Sequence, residues 1–174
     1  LNDGPVTVSV TATDTAGNTS PAATAPVTLD GTVPLAPTIT LPIEGDNFIN
    51  AAEQGDVLVA GTTEPNAVIN VTISDGVNPA VMAQVTANGS GDWSLSGNGI
   101  DASTLDDGSL TVSATATDAA GNVSPAATAA VTKDAAAPAT PTVDSFSDDT
   151  GAIGDGITSD TTPTLTGTDG TAGD

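Results

Sequence analysis

The chain has 174 residues, with 22 Asp and Glu against one basic residue, Lys133, and a formal charge of −21 at pH 7. It contains no Cys, His, Arg or Tyr, which excludes a disulfide framework, a zinc site, a thiol nucleophile and a serine–histidine dyad. One basic residue cannot neutralise a phosphate backbone, so nucleic acid and anionic membranes are excluded as direct partners, and no apolar run approaches the ~18 residues of a membrane span.

Val, Leu, Ile and Phe number only 35 of the 174 residues. With this net charge, that places the composition at the edge of disorder. The pattern decides for a fold. There are 30 Thr, β-branched like Val, and they alternate with small apolar residues. From Leu110 to Thr117, apolar side chains and hydroxyls fall on opposite faces with period two, as in a half-buried antiparallel strand.

Taken from the start, residues 1–30 recur at 105–134, identical at 22 of 30 positions. The shared heart is Thr-Ala-Thr-Asp-x-Ala-Gly-Asn-x-Ser-Pro-Ala-Ala-Thr-Ala, at Thr11–Ala25 and Thr115–Ala129. Pro37-Thr38-Ile39 answers Pro141-Thr142-Val143, and Gly61-Thr62 answers Gly167-Thr168 at an offset of 106, which implies a small loop insertion. A period near 104 is the size of a domain. Residues 1–34 therefore read as the end of one unit, 35–138 as a complete unit and 139–174 as the opening of a third. The joints at 30–34 and 134–138 are short and end in Pro, which predicts limited hinge freedom. Leu1 is not an initiator Met and no signal peptide is visible, so the chain reads as an internal piece of something longer.

Within the complete unit, seven short strands are predicted at 38–41, 57–62, 68–74, 81–87, 93–96, 110–117 and 128–132. Turn residues separate them, among them Glu64-Pro65-Asn66, Ser74-Asp75-Gly76, Asn88-Gly89 and Ala120-Gly121-Asn122. No segment carries a helical apolar stripe. Seven strands in about 100 residues predict an all-β Greek-key sandwich of the immunoglobulin class, in a tandem array with one complete domain flanked by two partial ones. The expected core is thin, with Ile69, Val71 and Ile73 facing Val112, Ala114 and Ala116, and Trp93 as its plug. The other role open to Trp93 is a platform on which a sugar stacks.

The motifs Gly45-Asp46-Asn47-Phe48-Ile49-Asn50-Ala51-Ala52-Glu53, Gly61-Thr62-Thr63-Glu64-Pro65 and Asp118-Ala119-Ala120-Gly121-Asn122-Val123-Ser124-Pro125 resemble tandem bacterial Ig-like repeats. Asp160-Thr161-Thr162-Pro163-Thr164-Leu165-Thr166-Gly167-Thr168 continues the resemblance, which covers essentially the whole chain. Such repeats build the stalks of giant type I-secreted, RTX-type surface adhesins of Gram-negative bacteria, which act in biofilms and on host cells. The resemblance implies a non-enzymatic extender on the bacterial cell surface, outside the cell. Its partners are neighbouring repeats of the same chain, and calcium stiffens the joints. A host or abiotic surface would be reached only through a tip domain. The glycine-rich calcium repeats that end such adhesins are missing, so the fragment reads as stalk without tip or secretion signal.

Carboxylates and amides are the only reactive equipment. A glycosidase pair needs two carboxyls facing each other across a cleft, whereas these acids fall in turns. The abundant hydroxyls have no base to activate them. Calcium suits the composition better, because a hard cation takes six to eight oxygens from loops that can wrap it. In the sandwich, Glu64 (second–third strand loop) and Asp118 with Asn122 (sixth–seventh strand loop) face the incoming joint, where Asp30 arrives. They form the expected joint site. A second candidate lies at the exit end, where Glu44, Asp46, Asn47 and Glu53 approach Asp101, Asp106 and Asp107. Asp148, Asp149 and Asp155 occupy the corresponding loop of the next unit. The alternative function is a carbohydrate- or surface-binding sandwich module of a secreted multidomain protein. An exposed aromatic platform would favour it, and a buried Trp93 would favour the extender.

Overall fold

The computed structural model describes residues 1–146, 156–159 and 161–170. The first element is a hairpin of β1 (Gly4–Val10) and β2 (Ala23–Leu29), paired antiparallel from Gly4↔Leu29 to Val10↔Ala23. The central unit follows with β3 (Phe48–Ile49), β4 (Ala60–Thr62), β5 (Val68–Ser74), β6 (Val81–Thr86), β7 (Asp92–Ser94), β8 (Gly108–Thr117) and β9 (Ala127–Lys133). Two short strands, β10 (Ser145–Phe146) and β11 (Leu165–Thr166), pair antiparallel beyond it.

The central unit is a two-layer sandwich. One layer is a five-stranded sheet in the order β3-β9-β8-β5-β6, and the other is built on β4 and β7. The segment around Thr38 joins the second layer through Thr38 N–H to the Thr62 carbonyl and Thr40 N–H to the Ala60 carbonyl, both 2.8 Å. Burial alternates along β5 and β8, as their period-two sequences require. The register Ile69↔Ala116, Val71↔Ala114 and Ile73↔Val112 corrects the expected core. These residues are cross-strand neighbours on one face of one sheet and do not oppose one another. The second layer brings Val57, Val59, Trp93 and Leu95 to the same buried cluster. Trp93 is 3% exposed and fills the core.

The chain moves from the second layer to the edge of the first through a cis Leu41–Pro42 peptide and a short 3-10 turn, Ile43–Gly45. It then forms β3, which pairs parallel with β9. Sequence patterning misses this strand, since two residues are too few to show a period. Its value lies in burial: Ile43 and Ile49 both enter the core.

Lys133 is buried. Its ammonium donates to the Leu105 carbonyl at 2.8 Å and pairs with Asp107 at 3.0 Å, with the side chains 5% and 41% exposed respectively. The equivalent positions of the preceding unit are Leu29 and Asp3, so the other copy sets an aliphatic side chain beside the same carboxylate. Removing each partner should therefore have unequal effects. Lys133→Leu leaves a carboxylate that water can reach, whereas Asp107→Ala leaves a buried ammonium with one carbonyl. Thermal melts should show Asp107→Ala lowering the midpoint more than Lys133→Leu, and the reverse order would refute this account.

The repeat is visible in space. The β1–β2 hairpin and the β8–β9 pairing share one register, with Gly4↔Leu29 matching Gly108↔Lys133 at an offset of 104. In the outer units the same face lacks cover. Val8 and Val10 are 57% and 64% exposed, while their equivalents Val112 and Ala114 are fully buried. A two-stranded hairpin without a packed face is marginal in water. Amide hydrogen exchange on the dilute monomer should therefore protect 35–134 as one cooperative block and leave the 4–29 hairpin and the β10–β11 pair far less protected. Equal protection in the outer segments would contradict this.

Candidate functional site

The expected joint site lies where the chain enters the central unit. Asp30, Glu64 and Asp118 line one depression of about 280 Å³ together with Pro65, Asn66, Ala67 and Ala119. The β4–β5 turn carries Glu64. The loop between β8 and β9 carries Asp118 and Asn122. These three expected acids are thus brought to one place.

Their side chains are already engaged in part. Asp118 Oδ1 accepts from the N–H groups of Ala120 and Asn122, both at 2.9 Å, and Oδ2 accepts from Asn122 Nδ2 at 2.9 Å. The Asn122 side chain, acting first, and these backbone donors hold the Asp118 carboxyl below its usual value. Asp14 and Asn18 build the same loop in the preceding unit, with the same three bonds at 2.8–2.9 Å. A second bond set recurs beside it. Ala12 N–H donates to Ser20 Oγ at 3.0 Å, as Ala116 N–H does to the buried Ser124 at 2.9 Å. The carboxylate thus closes a tight turn through local backbone bonds, the reason Asp is favoured there.

Across the joint, Asn122 Nδ2 also reaches the Asp30 carbonyl at 3.2 Å. Asp30 Oδ1 accepts from Thr32 N–H at 3.1 Å. Pro34 and Pro37 are buried, so the linker after Asp30 packs onto the unit it enters. Among the described residues, no three Asp or Glu side chains form a group that could hold a metal ion.

At the exit end, the acids are stitched into their own loop. Glu44 Oε1 accepts from Leu58 N–H at 2.5 Å, Asp46 Oδ1 from Phe48 N–H at 2.8 Å, Asn47 Oδ1 from Ile43 N–H at 3.0 Å and Glu53 Oε2 from Asn50 N–H at 3.0 Å. Burial pushes the Glu44 carboxyl up. The Leu58 N–H opposes that, and the charges of Glu53, Asp56 and Asp46 add to it. Of the expected neighbours, Asp107 is committed to Lys133 and Asp101 to Ser103 N–H, while Asp106 offers its backbone N–H to Asp75. Asp148, Asp149 and Asp155 lie outside the described residues.

Two acids outside the expected sites have clear structural roles. Asp75 Oδ1 accepts from Val77 and Asn78 N–H, and Oδ2 accepts from Asn78 Nδ2 at 2.7 Å and Asp106 N–H at 2.9 Å. It ties the β5–β6 turn to the loop before β8. Asp56 Oδ1 binds Gly99 N–H at 2.7 Å. The Ser-Asp-Gly turn signal located Asp75, but its bond to Asp106, 31 positions away, has no local sequence trace.

A family model described as bacterial Ig-like domain matches residues 43–135, more than half of the chain. The chain belongs to the bacterial Ig-like domain family. Among solved structures, this Ig-like chain is similar to a crystal structure of a tetra-tandem repeat in the extending region of a large adhesion protein. The identity is 35% and the TM-score 0.50, over 83% of this chain and 36% of that one. It also matches a structure concerned with host cell surface retention of a 1.5-MDa bacterial ice-binding adhesin, at 29% identity and TM-score 0.37, over 77% of this chain and 43% of that one. No curated protein matches it. Among the described residues, no helix is long and apolar enough to cross a membrane.

The carboxylates set the acid response of the Ig-like unit. Asp75 is held far below the usual 3.8, first by the Asn78 side chain and then by the Asp106 and Val77 amides. A depressed folded value stabilises the fold above the unfolded value, and that contribution is lost as pH falls through the folded value. Glu44 has the opposite sign. Raised above 4.5, it favours the fold when protonated and loses that contribution as pH rises through its folded value. Self-repulsion at −21 acts in the same direction as Glu44. In chelator, the thermal midpoint should therefore rise as pH falls from neutral toward 4.5, then drop below 3.8. Asp75→Asn should lower the midpoint at neutral pH and flatten the acid drop. A midpoint independent of pH across this range would contradict the assignment.

Proposed function

We propose that the chain is a stretch of the extending stalk of a bacterial cell-surface adhesin: the close of one Ig-like repeat, a complete repeat at 35–138 and the opening of the next. The carrying observation is the duplicated loop hairpin, in one register at an offset of 104, joined to the next unit by a linker whose prolines are buried. A module copied at domain spacing and coupled through packed joints adds length and resists bending. The solved repeat from the extending region of a large adhesion protein, at 35% identity, supports the same reading. The burial of Trp93 takes that ring out of the sugar-stacking role open to it. The module is structural, it lies outside the cell, and its immediate partners are its neighbouring repeats. Adhesion to a host cell or in a biofilm belongs to other parts of the protein.

Calcium as a joint stiffener belongs to this proposal. Its support is the depression lined by Asp30, Glu64 and Asp118, in a chain whose one cation is already paired with Asp107. The acids as arranged do not form a ready cage, because both Asp118 oxygens are taken by their own loop. Extracellular modules bind calcium with Kd on the order of 10⁻⁴–10⁻³ M, so any stabilisation would reach about 2.7 kcal/mol only at 100 times Kd.

Small-angle scattering of an array with two complete repeats tests the reading. The array should be extended. If calcium stiffens it, chelator, Glu64→Gln and Asp118→Asn should each increase bending while the sandwich stays folded. A profile that is the same in calcium, in chelator and in both variants removes calcium from the proposal. A compact, collapsed array in every condition removes the extender itself.

A further inference from the structure

We propose that consecutive repeats are held in line by a latch that needs no metal, in which the one peptide group joining Asp30 to Gly31 is gripped from both sides, by Asn122 of the following unit and Asp3 of the preceding one. The inference rests on reading the chain as consecutive repeats and does not depend on calcium. The Asp30 carbonyl accepts from Asn122 Nδ2 at 3.2 Å, and the N–H of the same peptide, that of Gly31, donates to Asp3 Oδ1 at 3.0 Å. Thr32 Oγ1 donates to the other oxygen of Asp3 at 2.5 Å, and Thr32 N–H closes onto Asp30 Oδ1. Donor and acceptor of one peptide are thus engaged by two different units, and each bond polarises the group for the other.

The chemistry explains the residue types. A carboxamide nitrogen carries two hydrogens. Asn122 spends one on Asp118 Oδ2, which fixes the direction of the side chain, and the other on the Asp30 carbonyl. Aspartate at 122 would have no hydrogen to give. Alanine would leave the loop closed by backbone bonds, since Asp118 N–H donates to the Asn122 carbonyl at 3.1 Å and Ser124 N–H to the Ala116 carbonyl at 2.9 Å. On the other side, Asp3 stands at the head of β1 and has two oxygens for two successive linker residues.

The parts recur at the repeat spacing. Asp107 corresponds to Asp3, and its carboxyl is held below the usual value first by the Lys133 side chain and then by the backbone amide of Ala135, in the peptide equivalent to Asp30–Gly31. Asn18 corresponds to Asn122 and is aimed by Asp14 through the same 2.9 Å bond. A unit therefore carries the residue types of both halves: an Asp at the head of the first hairpin strand and an Asn aimed by the Asp of its own loop.

Backbone 15N relaxation on the full 174-residue chain in chelator tests this. Asp30, Gly31 and Thr32 should have order parameters near the rigid value of about 0.85, falling toward the flexible range below about 0.6 in Asn122→Ala and in Asn122→Asp. Asn18→Ala is the matched control. It removes the same loop bond in a loop that does not touch this joint, and should leave residues 30–32 rigid. Asp3→Ala should lower the Gly31 order parameter, and the double variant with Asn122→Ala should be less than additive, since both act on one peptide. Unchanged Trp93 fluorescence establishes that the sandwich is intact in each variant. The latch is overturned if residues 30–32 are flexible in the wild-type chain in chelator, if Asn122→Ala leaves them rigid, or if Asn18→Ala loosens them as much. Adding calcium addresses the ion alone: no change with calcium counts against the calcium reading and leaves the latch standing.

Discussion

A chain with 22 acids and one cation has to find partners for its carboxylates other than ammonium groups, and it finds them in backbone amides. Asp14, Asp30, Asp46, Asp75, Asp101, Asp118 and Asp134 each accept from the N–H two residues on. This one interaction sets the turns on which the sandwich depends. The core is assembled from Val, Ile, Leu and Ala around a single Trp, with little aromatic area to hold loops in place by burial. Carboxylate–amide bonds do that work at the loop ends, and charge-assisted bonds of this kind are stronger than neutral ones. The same bonds keep the charges in place without burying them, so a net charge of −21 is compatible with a compact fold.

That arrangement also decides what the acids are free to do. A carboxylate that holds its own loop is a poor candidate to leave it for an ion, and Asp118 is in that position at the joint. The acids there meet in space, as the order of strands requires, yet both Asp118 oxygens and Oδ1 of Asp30 already accept from amides. This joint need not be a choice between a bound cation and a loose hinge. A neutral carboxamide aimed by a carboxylate can carry directionality across the boundary, and salt does not screen it as it screens an exposed ion pair.

Much of this was legible in the sequence. β5 and β8 follow from period-two patterning, and β5 falls on the residues read for it. The offset of 106 between Gly61 and Gly167 has a spatial counterpart. Thr38 and Thr62 hydroxyls lie 2.8 Å apart, and so do those of Thr142 and Thr168. At both glycines a Cβ would run into the carbonyl of that first threonine, so the Gly-Thr pair marks a close crossing of two segments. Other features left no pattern. β3 is two residues long and parallel to its partner. The burial of Lys133 depends on Leu105 and Asp107, from a loop far away in sequence. Whether Ile69 faces or flanks Ala116 is a question of layer assignment, and alternation constrains faces without saying which strands share a sheet.

The distribution of contacts bears on why such a unit can be copied. The bonds placed at the joint reach no further than two adjacent units: Asp3 holds the outgoing peptide of its own unit, and Asn122 of the next unit receives it. Arrays with this property behave as one-dimensional chains, with stability and stiffness set by each unit and by each junction. Adding a repeat then adds length without demanding any change elsewhere. The substitutions between the two copies fit that logic. Leu29 becomes Lys133 beside a carboxylate that already serves the linker, and Val10 becomes Ala114 within the core, while the Asp, Gly, Asn and Ser of the loop stay identical. Within a unit the packing tolerates exchange. In the loop that meets the preceding unit, the exchanges fall at 119 and 123, beside the residues that make its bonds, and leave Asp118, Asn122 and Ser124 as they stand in the first copy.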